Sequence, residues 1–441
     1  MAKNNKELLE KTYGFLAEDE DARVCKDIPD SACNEQPKAF VLHLLSLVLT
    51  KWGDSLVSAR LVLPWILTAG GAPSFLIGLL VPLRESLALL PQLFVAQRMR
   101  EFPVRKWFWV GGSIGQAFSL LAMTISVITL EGAALGYAIV SALIVFSIAR
   151  GVCSVASKDV MGKSVSKTRR GRLTGLASSA AGLMTLSVAL IVIFAPEVEG
   201  SKAIFAALLG GAALLWLLAA LLYANVPEVA GATAGGGNAI AEAIKSLSLL
   251  QTDAKFRQFV TTRALLIASA FAIPYMVVLI QREGSGALTS LGGLMLASGA
   301  AGLFAGRFWG RWSDSSSNQV MAAAALLSSF TMAATVLLQA LTASWLGVSW
   351  VSGILIFIAA IAHQGARIGR KTYLVDMATQ ENRAQYTAVS NTVIGILLLL
   401  GGGLGVVDQF FGSAWVLILL SIIGVFAAAQ AFRLPALNSD D

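Results

Sequence analysis

Charge is what this sequence is short of. Asp, Glu, Lys and Arg make up 13% of its 441 residues, while hydrophobic residues make up 56%. A soluble domain carries about 25% charged residues. With so little polar surface to offer water, the chain is read as an all-α integral membrane protein, since helices satisfy their own backbone hydrogen bonds in lipid. Histidine is scarcer still. With His43 and His363 alone, a Ser/His or Cys/His nucleophile system has almost nothing to draw on. No HExxH or Walker pattern occurs, so no enzyme chemistry, metal or cofactor is expected. Cys25, Cys33 and Cys153 show neither a CxxC nor a histidine-containing spacing and are read as reduced, structurally incidental thiols. Residues 1–38 are polar, with acids at 18–21, and have no apolar run resembling a secretory signal.

Long uncharged runs take the place of charge. Those at 107–130, 132–149, 173–196, 203–227, 264–281, 284–306, 384–407 and 409–432 can each cross about 30 Å of hydrocarbon. The block 315–366 is long enough for two crossings, dividing near Ser344 and Gly347. Two further segments carry charges. Residues 39–69 hold Lys51, Asp54 and Arg60, residues 73–98 hold Arg84 and Glu85, and Gly70 to Pro73 turn between them. Treating 61–83 as one span gives eleven crossings; the repeat described below favours twelve. Lys and Arg crowd at 98–106, 158–172, 307–314 and 367–383, whereas the alternate connections offer little beyond Lys202 and Arg282. The positive-inside bias then places both termini in the cytoplasm. It also accounts for the formal charge of +7 without nucleic-acid binding. The expected organisation is a cytoplasmic extension (1–38), a first bundle (39–227), a cytoplasmic linker with a surface helix (228–257), a second bundle (258–433) and a short tail (434–441). The expected setting is a bacterial inner membrane, the expected state a monomer.

A shift of 213 residues lays Lys158 on Lys371, Arg170 on Arg383, Thr174 on Thr387 and Gly182 on Gly395 without a gap. The same shift lays Arg98 on Arg311 and Glu101 on Asp314. Two charged loops obeying one offset indicate a tandem duplication, and parallel repeats in a membrane chain suggest halves that rock about a shared site. In its six-plus-six spans, central linker and charged loops the chain resembles the major facilitator superfamily. The best local match is Gly306-Arg307-Phe308-Trp309-Gly310-Arg311-Trp312-Ser313-Asp314; the first-half copy, Val95 to Lys106, is degenerate, with Glu101 in the acid's place. The resemblance implies two six-helix bundles, a cavity lined by spans one, four, seven and ten, and a cytoplasmic gate at Arg98, Glu101, Arg311 and Asp314. The glycine-proline signature that many antiporters of that family carry in span five is missing from 173–184, which argues against drug-for-proton antiport.

Ionisable side chains inside a membrane usually face a partner or water. Asp54 and Glu85 are candidate proton sites, since carboxylates in a partly desolvated cavity hold protons more readily. The alternative is a fixed ion pair, Glu85 with Arg60 or Asp54 with Lys51 or Arg84. The positions of Arg84 and Glu85 in the second half are Ala297 and Ser298, so these charges are not a requirement of both bundles. Arg150 and His363 coincide under the shift, Arg367 lies one turn beyond His363, and Arg263 enters span seven. With Lys51, Arg60 and Arg84 they are candidate substrate ligands. Converging arginines suit a carboxylate or phosphate, while snorkelling to headgroups is the alternative for Arg263 and Arg367. His43 is expected at the interface, and Gly171, Gly175, Gly182, Gly302 and Gly306 at contacts between the halves. The function expected is proton-coupled transport of a small organic anion by alternating access, with export or flipping of amphipathic molecules as the alternative.

Overall fold

The structure, a computed structural model, describes residues 13–14, 28–194, 202–233, 247–284, 288–379 and 382–437, and these are helical apart from turns and short extended connections. Helices α1 (Asp30–Leu56) and α2 (Val62–Ala69) form the first crossing, α3 (Ser74–Leu89) and α4 (Gln92–Met99) the second. Next come α5 (Lys106–Thr129), α6 (Gly132–Ser164), α7 (Lys167–Phe194) and α8 (Lys202–Ala224). The second half holds the short α9 (Leu249–Thr252), α10 (Ala254–Leu265), α11 (Ala268–Glu283), α12 (Leu288–Thr342), α13 (Ser349–Met377), α14 (Arg383–Leu400), α15 (Leu404–Phe411) and α16 (Ser413–Phe432). Eleven helical stretches among the described residues are long and apolar enough to span a bilayer. One of them, Ser290–Gly347, is 58 residues long, twice what a crossing needs. It breaks at Ser316, where φ is −160° and ψ is 84°, so it makes two passes and the total is twelve.

The interruptions follow from residue chemistry. Between α1 and α2 the amides of Leu61 and Leu63 both turn back to the Ser58 carbonyl, which holds the backbone satisfied where the helix is broken. Pro64 stands in the first turn of α2, where an amide hydrogen would have no helical partner, so the proline does not weaken that helix. Pro91 separates α3 from α4. Gly401–Gly403 form a 3₁₀ turn between α14 and α15, and Gly412 closes α15 with a φ of +87°, a left-handed turn that glycine adopts without penalty.

The two halves meet along helices exchanged by the 213-residue shift. α3 packs on α14 and α15, and α7 packs on α12, with a smaller contact between α2 and α11. Second span against eleventh and fifth against eighth is what a pseudo-two-fold axis between parallel repeats generates.

Several sequence expectations need correction. α1 begins at Asp30, well before Ala39. Cys33, in its first turns, is disulfide-bonded and not a reduced thiol; its partner lies outside the described residues, and the cysteine spacing alone does not announce such a pair. Most of the expected linker helix, 239–250, also falls outside them. His43 is fully buried within the protein: its Nε2 lies 2.9 Å from Ser164 Oγ and its ring stands edge-on to Tyr223. The basic stretch 367–383 is helical as far as Met377. At the end of the first half, the Glu228 carboxylate accepts from the amides of Arg105 and Lys106 and, at 2.5 Å, from Lys163 Nζ. This pins the segment leaving α8 to the loop before α5.

Candidate functional site

Asp54 sits in the last turn of α1, where the helix's free carbonyls already concentrate negative charge. Cations from two other helices answer it. Arg84 of α3 donates from Nη2 to Asp54 Oδ1 at 2.7 Å, and Arg150 of α6 donates to Oδ2. The Arg84 guanidinium also lies 4.9 Å from the centre of the Phe146 ring, a cation–π contact that fixes its plane. One carboxylate thus ties together three helices of the first half. Arg150 lies near the middle of α6, because that helix runs on to Ser164. One residue beyond Arg84, Glu85 accepts from Arg60 Nη2 at 2.6 Å. Glu85 keeps 41% of its side chain exposed against 21% for Asp54, and it has one partner where Asp54 has two.

These groups line a cavity of about 690 Å³ between the halves. Lys51, Asp54, Arg60, Arg84, Glu85 and Arg150 form its first-half wall. Small residues of α7 and α12, such as Ser178, Thr185 and Ser298, form its floor, and Gln364 and Arg367 of α13 face across. The cavity therefore draws on spans two, five and eight as well as one, four and ten. Span seven lines only a side chamber of about 30 Å³, where Arg263, Ser269 and His363 meet Arg367 and Arg370. Arg60, Glu85 and Arg367 border both spaces. Arg263 is held away from the main cavity by Ser390 Oγ at 2.6 Å and Asn391 Oδ1 at 2.8 Å. His363 is buried beside Ser269.

Arg370 is the residue that reading the sequence missed. It shares a face of α13 with His363 and Arg367, at a spacing of four and then three residues. Counting 367–383 as a basic loop made it an orientation signal and hid that pattern.

The cavity is shut at one end. Gly78 of α3 and Gly405 of α15 meet backbone to backbone: an added Cβ on Gly78 would stand 2.3 Å from Gly405 Cα. Around them the Ser74 amide donates to Gln409 Oε1 at 2.9 Å, Arg282 Nη2 to Ser74 Oγ at 2.7 Å, and Gln281 Nε2 to the Trp65 carbonyl at 3.2 Å. Toward the other end, where the basic loops lie, α7 and α12 part. Gly182 and Gly299 touch Leu303 and Leu186, and Gly292 presses on the α7 backbone at Ile193. Gly171, Gly175, Gly302 and Gly306 have only open space where a side chain would stand. Four of the five glycines expected at contacts between the halves are thus not in contact; Gly182 alone is. Arg98 pairs with Glu101 inside its own loop. Arg311 and Asp314 are exposed, and among the described residues no ion pair joins any of these four across the halves.

The geometry makes a paired prediction. Gly302→Val fits this arrangement but should block closure of the basic-loop end, leaving solute binding within about twofold of the parent while transport falls more than about tenfold. Gly78→Val cannot fit here and should shift the population to the opposite arrangement. Equilibrium binding and proteoliposome uptake on the two variants check this.

The profile of a family described as Major Facilitator Superfamily matches residues 44–402. No curated protein matches the chain. Among solved structures, a D-xylose–proton symporter superposes with a TM-score of 0.68 at 13% identity, covering 92% of this chain and 99% of its own. A POT family transporter in complex with a thioalcohol-conjugated peptide gives 0.68 at 12%, covering 92% and 97%. The nucleoside transporter NupG gives 0.63 at 12%, covering 91% and 99%. At such identities the likeness is one of fold.

Proposed function

The chain belongs to the Major Facilitator Superfamily, and from that premise we propose that it carries a small organic anion across the membrane by alternating access, coupled to protons. The observation that carries the anion reading is the second-half wall: Arg367, with Arg370 behind it, faces the cavity with no carboxylate of its own half beside it. Unpaired cations at this depth are costly unless a counter-ion joins them. The positive-inside bias supports cytoplasmic termini, and the present arrangement, parted at the basic-loop end, is then the inward-facing one.

Proton coupling falls to Glu85. Its carboxylate borders both spaces and holds Arg60 by a single ion pair. A proton on Glu85 releases Arg60, which then serves with Arg367 as a fork for the incoming anion. Loss of the proton on the other side restores the pair and leaves the anion one ligand fewer. Asp54, held by two arginines, keeps α1, α3 and α6 in register through the cycle. Charge-assisted hydrogen bonds contribute about 1.5–3 kcal/mol. Arg367→Gln should therefore weaken anion binding by about 10–100-fold in a purified-protein titration with organic acids. Unchanged affinity, or binding of hydrophobic cations alone, would remove the anion reading.

A further inference from the structure

The side chamber holds more positive charge than a singly charged solute can balance. Arg60, Arg263, Arg367 and Arg370 border it, and Glu85 is its one carboxylate among the described lining residues. Glu85 is engaged by Arg60. Arg263 spends its terminal nitrogens on the neutral Ser390 and Asn391, and Arg367 and Arg370 make no hydrogen bond or ion pair with any described residue. The rest of the lining, including Leu266, Ile267, Ile394 and Leu398, is largely apolar, so the repulsion among these cations is poorly screened. The fold does not demand them: under the 213-residue shift Arg263, Arg367 and Arg370 fall on Thr50, Ser154 and Ser157.

His363 adds a buried polar atom with no hydrogen-bond partner among the described residues. The Ser269 hydroxyl donates to the Leu266 carbonyl at 2.9 Å and lies 3.3 Å from His363 Nδ1. Its single proton is committed to the nearer acceptor, so Nδ1 is the donor to Ser269. Nε2, buried and without a partner, is then the free acceptor of the neutral ring.

We propose that the solute carries an oxyanion head able to hold two negative charges, a phosphate monoester or a dicarboxylate, and that this head binds where the main cavity meets the chamber at Arg60 and Arg367. Arg367 and Arg370 offer it planar forks from successive turns of α13. A dianionic head presents only acceptors, so it takes the other tautomer of His363, in which Nε2–H donates to the head and Nδ1 accepts from the Ser269 hydroxyl. The chamber admits roughly one water-sized atom; a single oxygen of the head enters it, and the body of the solute lies in the main cavity. This rests on the reading that the cavity takes an anion, and the test separates the two.

The full-length protein in detergent, carrying Glu85→Gln as the parent background so that Arg60 is free at every pH, is titrated at pH 8 with phenyl phosphate and succinate against benzoate and acetate. Phenyl phosphate and benzoate share a ring and differ in the second charge. Either dianion should bind at least about tenfold tighter than its monoanionic counterpart, with phenyl phosphate favoured if the head is a phosphate and succinate if it is a dicarboxylate. Arg370→Gln should abolish that preference, weakening phenyl phosphate and succinate by at least about tenfold more than benzoate and acetate. If that variant does not fold, Arg370→Lys, which keeps the charge and loses the fork, should reduce the preference. Equal affinity for mono- and dianions in the parent, or a preference untouched in these variants, overturns the dianionic head and leaves an anion transporter standing. Failure of all four acids to bind overturns both.

Discussion

Glu85→Gln is expected to lose uphill accumulation of the solute in proteoliposomes with an imposed pH gradient, yet to retain exchange of internal for external solute. The amide cannot take up or release a proton, and it holds Arg60 only by a neutral hydrogen bond, roughly half as strong as the ion pair it replaces. Arg60 is then free in every state, so binding stays and its dependence on pH goes. Glu85 is the member of the two ion-pair sets with one partner and the larger exposure to the cavity, which is why the coupling is placed there. If Glu85→Gln accumulates solute as the parent does, the proton is carried elsewhere.

Asp54→Ala is expected to act differently, through stability. Its loss leaves Arg84 and Arg150 facing each other without an anion between them. Removing one member of a buried ion pair costs about 3–5 kcal/mol. Cavity water reaches Arg150, 37% of whose side chain is exposed, and reduces that to about 2 kcal/mol. A fall of several degrees in the apparent unfolding temperature should follow, with transport lost. The double variant Asp54→Ala, Arg150→Gln should recover part of the stability, because one of the stranded charges is then gone. If Asp54→Ala melts like the parent, the three-helix tie is not structural.

The sequence made the crossings legible because hydrophobic length answers directly to bilayer thickness. The partners of the buried charges were legible only in part: the pair of Glu85 with Arg60 stood among the alternatives and is formed, whereas Arg150 reaches Asp54 over 96 residues, and no spacing rule joins such positions. The sequence left open whether Asp54 would pair with Lys51 or Arg84, and the packing of α3 beside α1 and α6 chose Arg84 together with Arg150. Arg370 was hidden because a basic residue near a helix end serves equally as an orientation signal. The glycines of α7 and α12 were misjudged because close packing and divergence make the same demand for small residues, in different states of one protein.

Alternating access about the charged cavity is tested most directly at Ser298, a cavity-wall position in pseudo-symmetric register with Glu85. Membrane vesicles of known orientation carrying Ser298→Cys are treated with a membrane-impermeant thiol reagent, and labelling is read against the parent. Reaction from the basic-loop side alone is predicted, moving to the opposite side when Gly78→Val is added. Labelling from the same side in both proteins, or from neither side in either, would contradict a cavity that exchanges its exposure between the two faces of the membrane.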